Sequence, residues 1–74
     1  MQLQFYGAAG CHLCDEAKEI LQQAGVNAKY IDIVDDDELF ERYGMRIPVL
    51  KRTDNGAELG WPFDVAEMTQ FLAK

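Results

Sequence analysis

Two cysteines, one histidine and seven basic residues are all that this 74-residue chain holds of the side chains that most often reveal a metal site or a nucleic-acid surface. Structural zinc expects a full tetrahedral set of Cys or His ligands. Cys11, His12 and Cys14 lie within one turn and fall short of that set, so no resident metal is expected. Seven Lys and Arg against 13 Asp and Glu leave a net charge of −6. That balance disfavours nucleic acid, because binding there is driven by releasing counterions from phosphates that basic residues neutralise. No apolar run approaches the roughly 18 residues that crossing a bilayer requires, so no membrane partner is expected. Met1 leads directly into strand-like residues with no basic and apolar leader, which predicts no export signal and a cytoplasmic, reducing location. Repeats, low-complexity segments and linkers are also missing, and one domain over residues 1–74 follows.

What the chain does have is 49% hydrophobic residues arranged in short periodic segments. Leu3, Phe5 and Tyr6 within Gln2 to Gly7 predict a strand, and Gly7-Ala8-Ala9-Gly10 is small enough for a tight turn into a helix. Leu13, Ala17, Ile20, Leu21 and Ala24 form one apolar helical stripe that Gly25 ends. Ala28 to Val34 predicts a second strand, parallel to the first through a right-handed crossover. Asp35 and Glu38 match a capping box for a short helix with Leu39, Phe40 and Tyr43 inward and Gly44 at its end. The acidic run Asp35, Asp36, Asp37 lacks the glycine and ligand spacing of a calcium loop and reads as a solvated cap.

Pro48 precedes a third strand centred on Val49-Leu50, and Asp54-Asn55-Gly56 turns it into a brief fourth strand over Ala57 to Leu59. Asp64 and Glu67 are spaced to cap a last helix, with Val65, Met68 and Leu72 on one face and Phe71 at its margin. The expected architecture is therefore α/β, in the order β-α-β-α-β-β-α. Its four-stranded mixed sheet has the order 2-1-3-4, with helices on both faces.

Cys11-His12-Leu13-Cys14 sits where the first strand hands over to the first helix. Two intervening residues let one helical turn bring the sulfurs into bonding distance. The ring so closed is too short to remove much entropy from the unfolded chain, which points to redox chemistry over stapling.

These residues resemble the thioredoxin-fold superfamily, and more closely the glutaredoxins and small glutaredoxin-like proteins. The carriers are Tyr6-Gly7 with the cysteine motif, Arg42-Tyr43-Gly44-Met45-Arg46-Ile47-Pro48-Val49-Leu50, and Leu59-Gly60-Trp61-Pro62-Phe63-Asp64. The resemblance implies that Cys11 is the exposed nucleophile, that Cys14 resolves, and that Pro48 follows a cis peptide bond facing the sulfurs. It further implies that the backbone of Ile47 pairs with an extended thiol substrate and that Trp61, within Gly60 to Asp64, borders the disulfide. Typical glutaredoxins carry a lysine shortly before the first cysteine and a Gly-Gly pair before the last helix, positions that hold the ends of glutathione. Ala8-Ala9-Gly10 and Gly60-Trp61 stand there instead, which weighs against glutathione as reductant, while Arg42, Arg46 and Asp64 keep part of that apparatus.

A thiol attacks a disulfide only as thiolate, so Cys11 needs its pKa lowered from the ordinary value of about 8.5. A helix N-terminus contributes about 0.5 to 2 kcal/mol, and protonated His12 acts in the same direction. The like charge of Asp15 opposes by only about 0.2 to 0.5 kcal/mol. The leading expectation is a thiol–disulfide oxidoreductase with no tightly bound cofactor. Its partners are a protein or small-molecule thiol or disulfide, and a reductase or small thiol that regenerates the dithiol. The rivals are a non-catalytic thioredoxin-fold binding module, with a groove at Ile47-Pro48, and an iron–sulfur cluster shared across a dimer.

Overall fold

The alternation of Leu3, Phe5 and Gly7 with Gln4 and Tyr6 sends one set of side chains to each face of a strand, and both faces are used. The computed structural model describes residues 3–73. It runs β1 (Leu3–Gly7), α1 (His12–Gln23), β2 (Lys29–Asp32), a 3-10 turn (Ile33–Asp35), α2 (Asp37–Tyr43), β3 (Val49–Arg52), β4 (Glu58–Gly60) and α3 (Val65–Ala73). Gln2, the expected first residue of β1, lies outside the described residues. The sheet order is β2-β1-β3-β4, as the sequence predicts. Phe5 lies opposite Tyr30 of the parallel partner β2 and opposite Leu50 of the antiparallel partner β3, and Leu50 lies opposite Leu59 of β4.

Leu3, Phe5 and Leu50 pack with Ala17, Leu21, Met68 and Phe71, so α1 and α3 cover one face. Tyr6 and Val49 pack with Ile33 and Tyr43, so α2 covers the other. α1 closes with a Schellman pair, in which Gly25 N–H donates to the Gln22 carbonyl at 3.1 Å and Val26 N–H to the Leu21 carbonyl at 2.9 Å. No helix among the described residues is long and apolar enough to cross a membrane.

Several boundaries and faces differ from expectation. β2 begins one residue later than Ala28 and stops at Asp32, because the Asp32 side chain accepts the Val34 N–H at 2.9 Å and starts the 3-10 turn. That turn takes up Asp35, so the cap of α2 is Asp36, whose Oδ1 accepts from Glu38 N–H at 2.9 Å and Leu39 N–H at 3.2 Å. Asp36 has the extended backbone that an N-cap needs, φ −139° and ψ 114°. Phe40 is 56% exposed, not inward, since Tyr43 and Leu39 fill the covered stripe.

On α1 the inward position is held by Cys14, three before Ala17 and seven before Leu21, and this rotates Leu13 out to 43% exposure. On α3 the buried pair is Met68 and Phe71, with Leu72 beside it and Val65 exposed. The fourth strand sits one residue later than expected, over Glu58–Gly60. The hairpin turn is as predicted, with Gly56 N–H donating to the Arg52 carbonyl at 3.0 Å.

Candidate functional site

The site forms where β1 runs out. Gly10 adopts φ +78°, which L side chains rarely take, and Cys11 N–H donates back to the Ala8 carbonyl at 3.2 Å, reversing the chain tightly into α1. Cys11 is the helix cap, with extended φ −81° and ψ 111°. Its Sγ accepts the Cys14 backbone N–H at 3.1 Å, and its carbonyl accepts the first helical bond from Asp15. One of the unpaired donors of the helix start is thus aimed at this sulfur, the arrangement that favours a thiolate.

Cys11 and Cys14 are joined as a disulfide, with Cα atoms 5.2 Å apart. Their environments differ: Cys14 is 0% exposed and part of the core, whereas Cys11 is partly exposed at its edge. Of the two cysteines, only Cys11 meets the surface.

Gly7 makes room for the inner sulfur. A Cβ there would stand 3.1 Å from Cys14 Sγ, 3.2 Å from a Tyr30 ring carbon and 3.4 Å from a Phe5 ring carbon. Two of these contacts are tighter than ordinary van der Waals contact and the third borders on it, so Gly7→Val should cost about 1 to 3 kcal/mol through overpacking. A melting temperature equal to that of the wild type would contradict this packing.

The antiparallel pairing of Tyr6 with Val49, continued by one residue, brings Pro48 level with Gly7 and so to the sulfur end of the sheet. Pro48 is buried and the Ile47–Pro48 bond is cis. Trp61 donates its backbone N–H to the Pro48 carbonyl at 3.1 Å, and its ring meets Phe63 edge-on with centroids 5.2 Å apart. Cys11, Ile47 and Trp61 all pack as partly buried residues on the cluster that contains Cys14 and Phe63. The structure thus brings five of the predicted site residues, Cys11, Cys14, Ile47, Pro48 and Trp61, to one region.

Two other predicted residues have partners of their own. Asp64 accepts the Glu67 N–H at 2.7 Å as the cap of α3, and Arg46 pairs with Glu58 at 2.9 Å. Ile47 N–H donates to the Tyr43 carbonyl at 3.1 Å. His12 is exposed on the first turn of α1.

A family model described as "Glutaredoxin-like domain (DUF836)" matches residues 2–73. The chain belongs to this glutaredoxin-like family. It is similar to protein XcR50 from X. campestris, a structural genomics target solved by X-ray crystallography, at 42% identity. The match covers 96% of this chain and 95% of that one, with a TM-score of 0.89. It is also similar to protein Ne2328 from Nitrosomonas europaea, at 27% identity and TM-score 0.71, over 95% of this chain and 88% of that one. Thioredoxin 1 from Thermosipho africanus matches at 12% identity and TM-score 0.66, over 99% and 91% of the two chains, which shows the thioredoxin fold. No curated protein matches.

Elsewhere in the sheet, the glutaredoxin-like fold of this chain carries polar contacts absent from the sequence-based expectations, with Arg52 opposite Leu3 at the end of β1 far from the cysteines. Arg52 follows Leu50 at the strand period of two and so shares its buried face. Its fork holds Asp54 through Nε–Oδ1 at 3.0 Å and Nη2–Oδ2 at 2.6 Å, and Nη1 donates to the Phe71 carbonyl at 2.8 Å, tying the hairpin to the end of α3. The period of two is the usable signal here, although arginine is rarely buried. On the other face the Tyr43 hydroxyl donates to Glu58 Oε2. That bond holds the Glu58 carboxyl below its ordinary range, with burial opposing and Arg46 assisting. Tyr43 is raised, first by burial and then by Glu58.

Proposed function

We propose that this protein is a thiol–disulfide oxidoreductase of glutaredoxin-like type, acting through Cys11 and Cys14. The observation that carries the reading is the asymmetry of the pair: a partly exposed cysteine whose sulfur accepts a helix N-terminal N–H, bonded to a fully buried one.

In the reduced protein the Cys11 thiolate attacks one sulfur of a substrate disulfide. A Cys11–substrate mixed disulfide forms, and the other substrate sulfur leaves as a thiolate that takes up a proton. Cys14 then gives up its proton and attacks Cys11 Sγ. The second substrate thiol leaves, and the Cys11–Cys14 disulfide is formed. Two electrons have passed from the dithiol to the substrate, and an external thiol or reductase must return them. A cytoplasmic, reducing compartment supplies such donors.

Ile47 and Pro48 provide the adjoining backbone surface, with the Ile47 carbonyl as acceptor for a substrate N–H, and Trp61 borders it. The Cys14 N–H and the helix dipole together favour the Cys11 thiolate by about 0.5 to 2 kcal/mol, which is about one pKa unit. Titration of thiolate absorbance in the reduced protein is therefore expected to give a Cys11 pKa below about 8.5. A value at or above that figure removes the argument for activation. Reduction of insulin disulfides by the wild-type protein with a thiol reductant tests the activity itself, and absence of turnover above the reductant alone defeats the proposal.

A further inference from the structure

Two hydrogen bonds on the α2 face join segments far apart in sequence. Tyr43 Oη donates to Glu58 Oε2, and Arg46 Nη2 donates to Glu58 Oε1 at 2.9 Å, so one carboxylate is held at both oxygens. Tyr43 is fully buried and stacks on Tyr6 with centroids 4.5 Å apart, while the Arg46 guanidinium lies 5.3 Å above the Tyr43 ring. The Tyr43 carbonyl accepts the N–H groups of both Arg46 and Ile47, at 2.8 and 3.1 Å.

Tyr43 and Arg46 therefore bracket the segment that leads into Ile47–Pro48, and Glu58 fastens both ends of the bracket to β4. β4 is itself fixed, since Glu58 lies opposite Lys51 and Gly60 opposite Val49 in the sheet. An exposed ion pair alone would contribute little. Here the same carboxylate also takes the hydroxyl of a buried ring, and a charge-assisted pair of bonds fixes orientation as well as distance.

We infer that Glu58 is a positioning residue for disulfide exchange: by bridging Tyr43 and Arg46 it holds the Ile47–Pro48 surface in the place where a substrate docks beside Cys11. The inference rests on the oxidoreductase reading and deepens it. Glu58 touches neither sulfur nor substrate, so its removal should act on engagement of the substrate and leave the dithiol couple alone. A misplacement of about 1 Å can cost about a hundredfold in rate, so a smaller displacement of this surface is expected to cost about tenfold.

The test compares wild type, Glu58→Ala and Glu58→Gln in insulin reduction, in redox equilibrium with glutathione buffers, and in backbone amide hydrogen exchange. Glu58→Ala is expected to raise KM and lower kcat/KM about tenfold, with kcat within about twofold and the midpoint potential unchanged. The Arg46 and Ile47 amides should exchange about tenfold faster, while Phe5 and Leu50 keep their protection. Glu58→Gln retains an acceptor for the Tyr43 hydroxyl and should recover part of both effects.

Unchanged KM, or unchanged exchange at Arg46 and Ile47, overturns the inference. So does a loss of protection spread equally over β1 and β3, which would mark Glu58 as a general stabiliser. Failure of the underlying reading is told apart by the wild type, which would show no turnover before any variant is compared, and the inference would fall with it.

Discussion

Cys11→Ser is expected to lose disulfide reduction by about three orders of magnitude or more, whereas Cys14→Ser should still react once and stop with the substrate attached to Cys11. Serine at position 11 keeps an oxygen that can accept the Cys14 N–H and is a strong N-cap, so the helix start survives the change. What is lost is the nucleophile, because a hydroxyl is not ionised near neutral pH and sulfur attack on a disulfide needs the thiolate. In Cys14→Ser the first attack proceeds, but no neighbouring thiolate displaces the product, and the advantage of an intramolecular second step disappears. Insulin reduction measures the first effect, and the intact mass of Cys14→Ser after exposure to a disulfide measures the second. Equal activity in Cys11→Ser and wild type would return the chain to the binding-module reading, in which the cysteines do no chemistry.

The largest expected loss of stability comes from Leu50→Ala. Leu50 is fully buried, lies opposite Phe5 on one side and Leu59 on the other, and belongs to the cluster beneath α1 and α3. Truncating such a leucine costs about 2 to 5 kcal/mol in transfer and cavity energy. At about 0.05 to 0.15 kcal/mol per residue, a domain of this size has roughly 4 to 11 kcal/mol in total. The substitution therefore removes a large share of the stability, and the melting temperature should fall by about 10 to 30 °C. Leu13→Ala is the comparison, since its side chain is half exposed and should cost under about 1 kcal/mol. A similar loss for both would mean that the core does not lie where the sheet register places it.

The parts of the fold legible in the sequence are those fixed by period and punctuation. The strand repeat of Leu3, Phe5 and Leu50, the glycine after α1 and the Asp54-Asn55-Gly56 turn act locally, and each sits where its chemistry requires. The cap of α2 was misplaced by one residue because Asp35, Asp36 and Asp37 are equally good caps in sequence. The choice is made by the 3-10 turn that Asp32 initiates. Phe40 and Leu13 were assigned inward because helical spacing gives a stripe but not its width. Tyr43 and Cys14 fill the space that those side chains would have taken.

At the site, the cysteine pair and Pro48 could be read from motif spacing and family resemblance. The Tyr43–Glu58–Arg46 contacts could not, because they join residues 12 and 15 positions apart across a sheet register that no local pattern encodes. Gly7 is placed by the sequence at the end of the first strand and the start of the turn. Its role is to leave space beside Cys14 Sγ, which appears only once β1 and α1 are packed.

The most direct measurement of the whole account is a redox titration in glutathione buffers, followed by Trp61 fluorescence and checked by circular dichroism. The account predicts one reversible two-electron transition, about 30 mV for each tenfold change in the ratio of disulfide to dithiol, with Trp61 emission following it and helix content constant. A pair that stays oxidised at every potential reached, or a domain that unfolds when the sulfurs part, would contradict it.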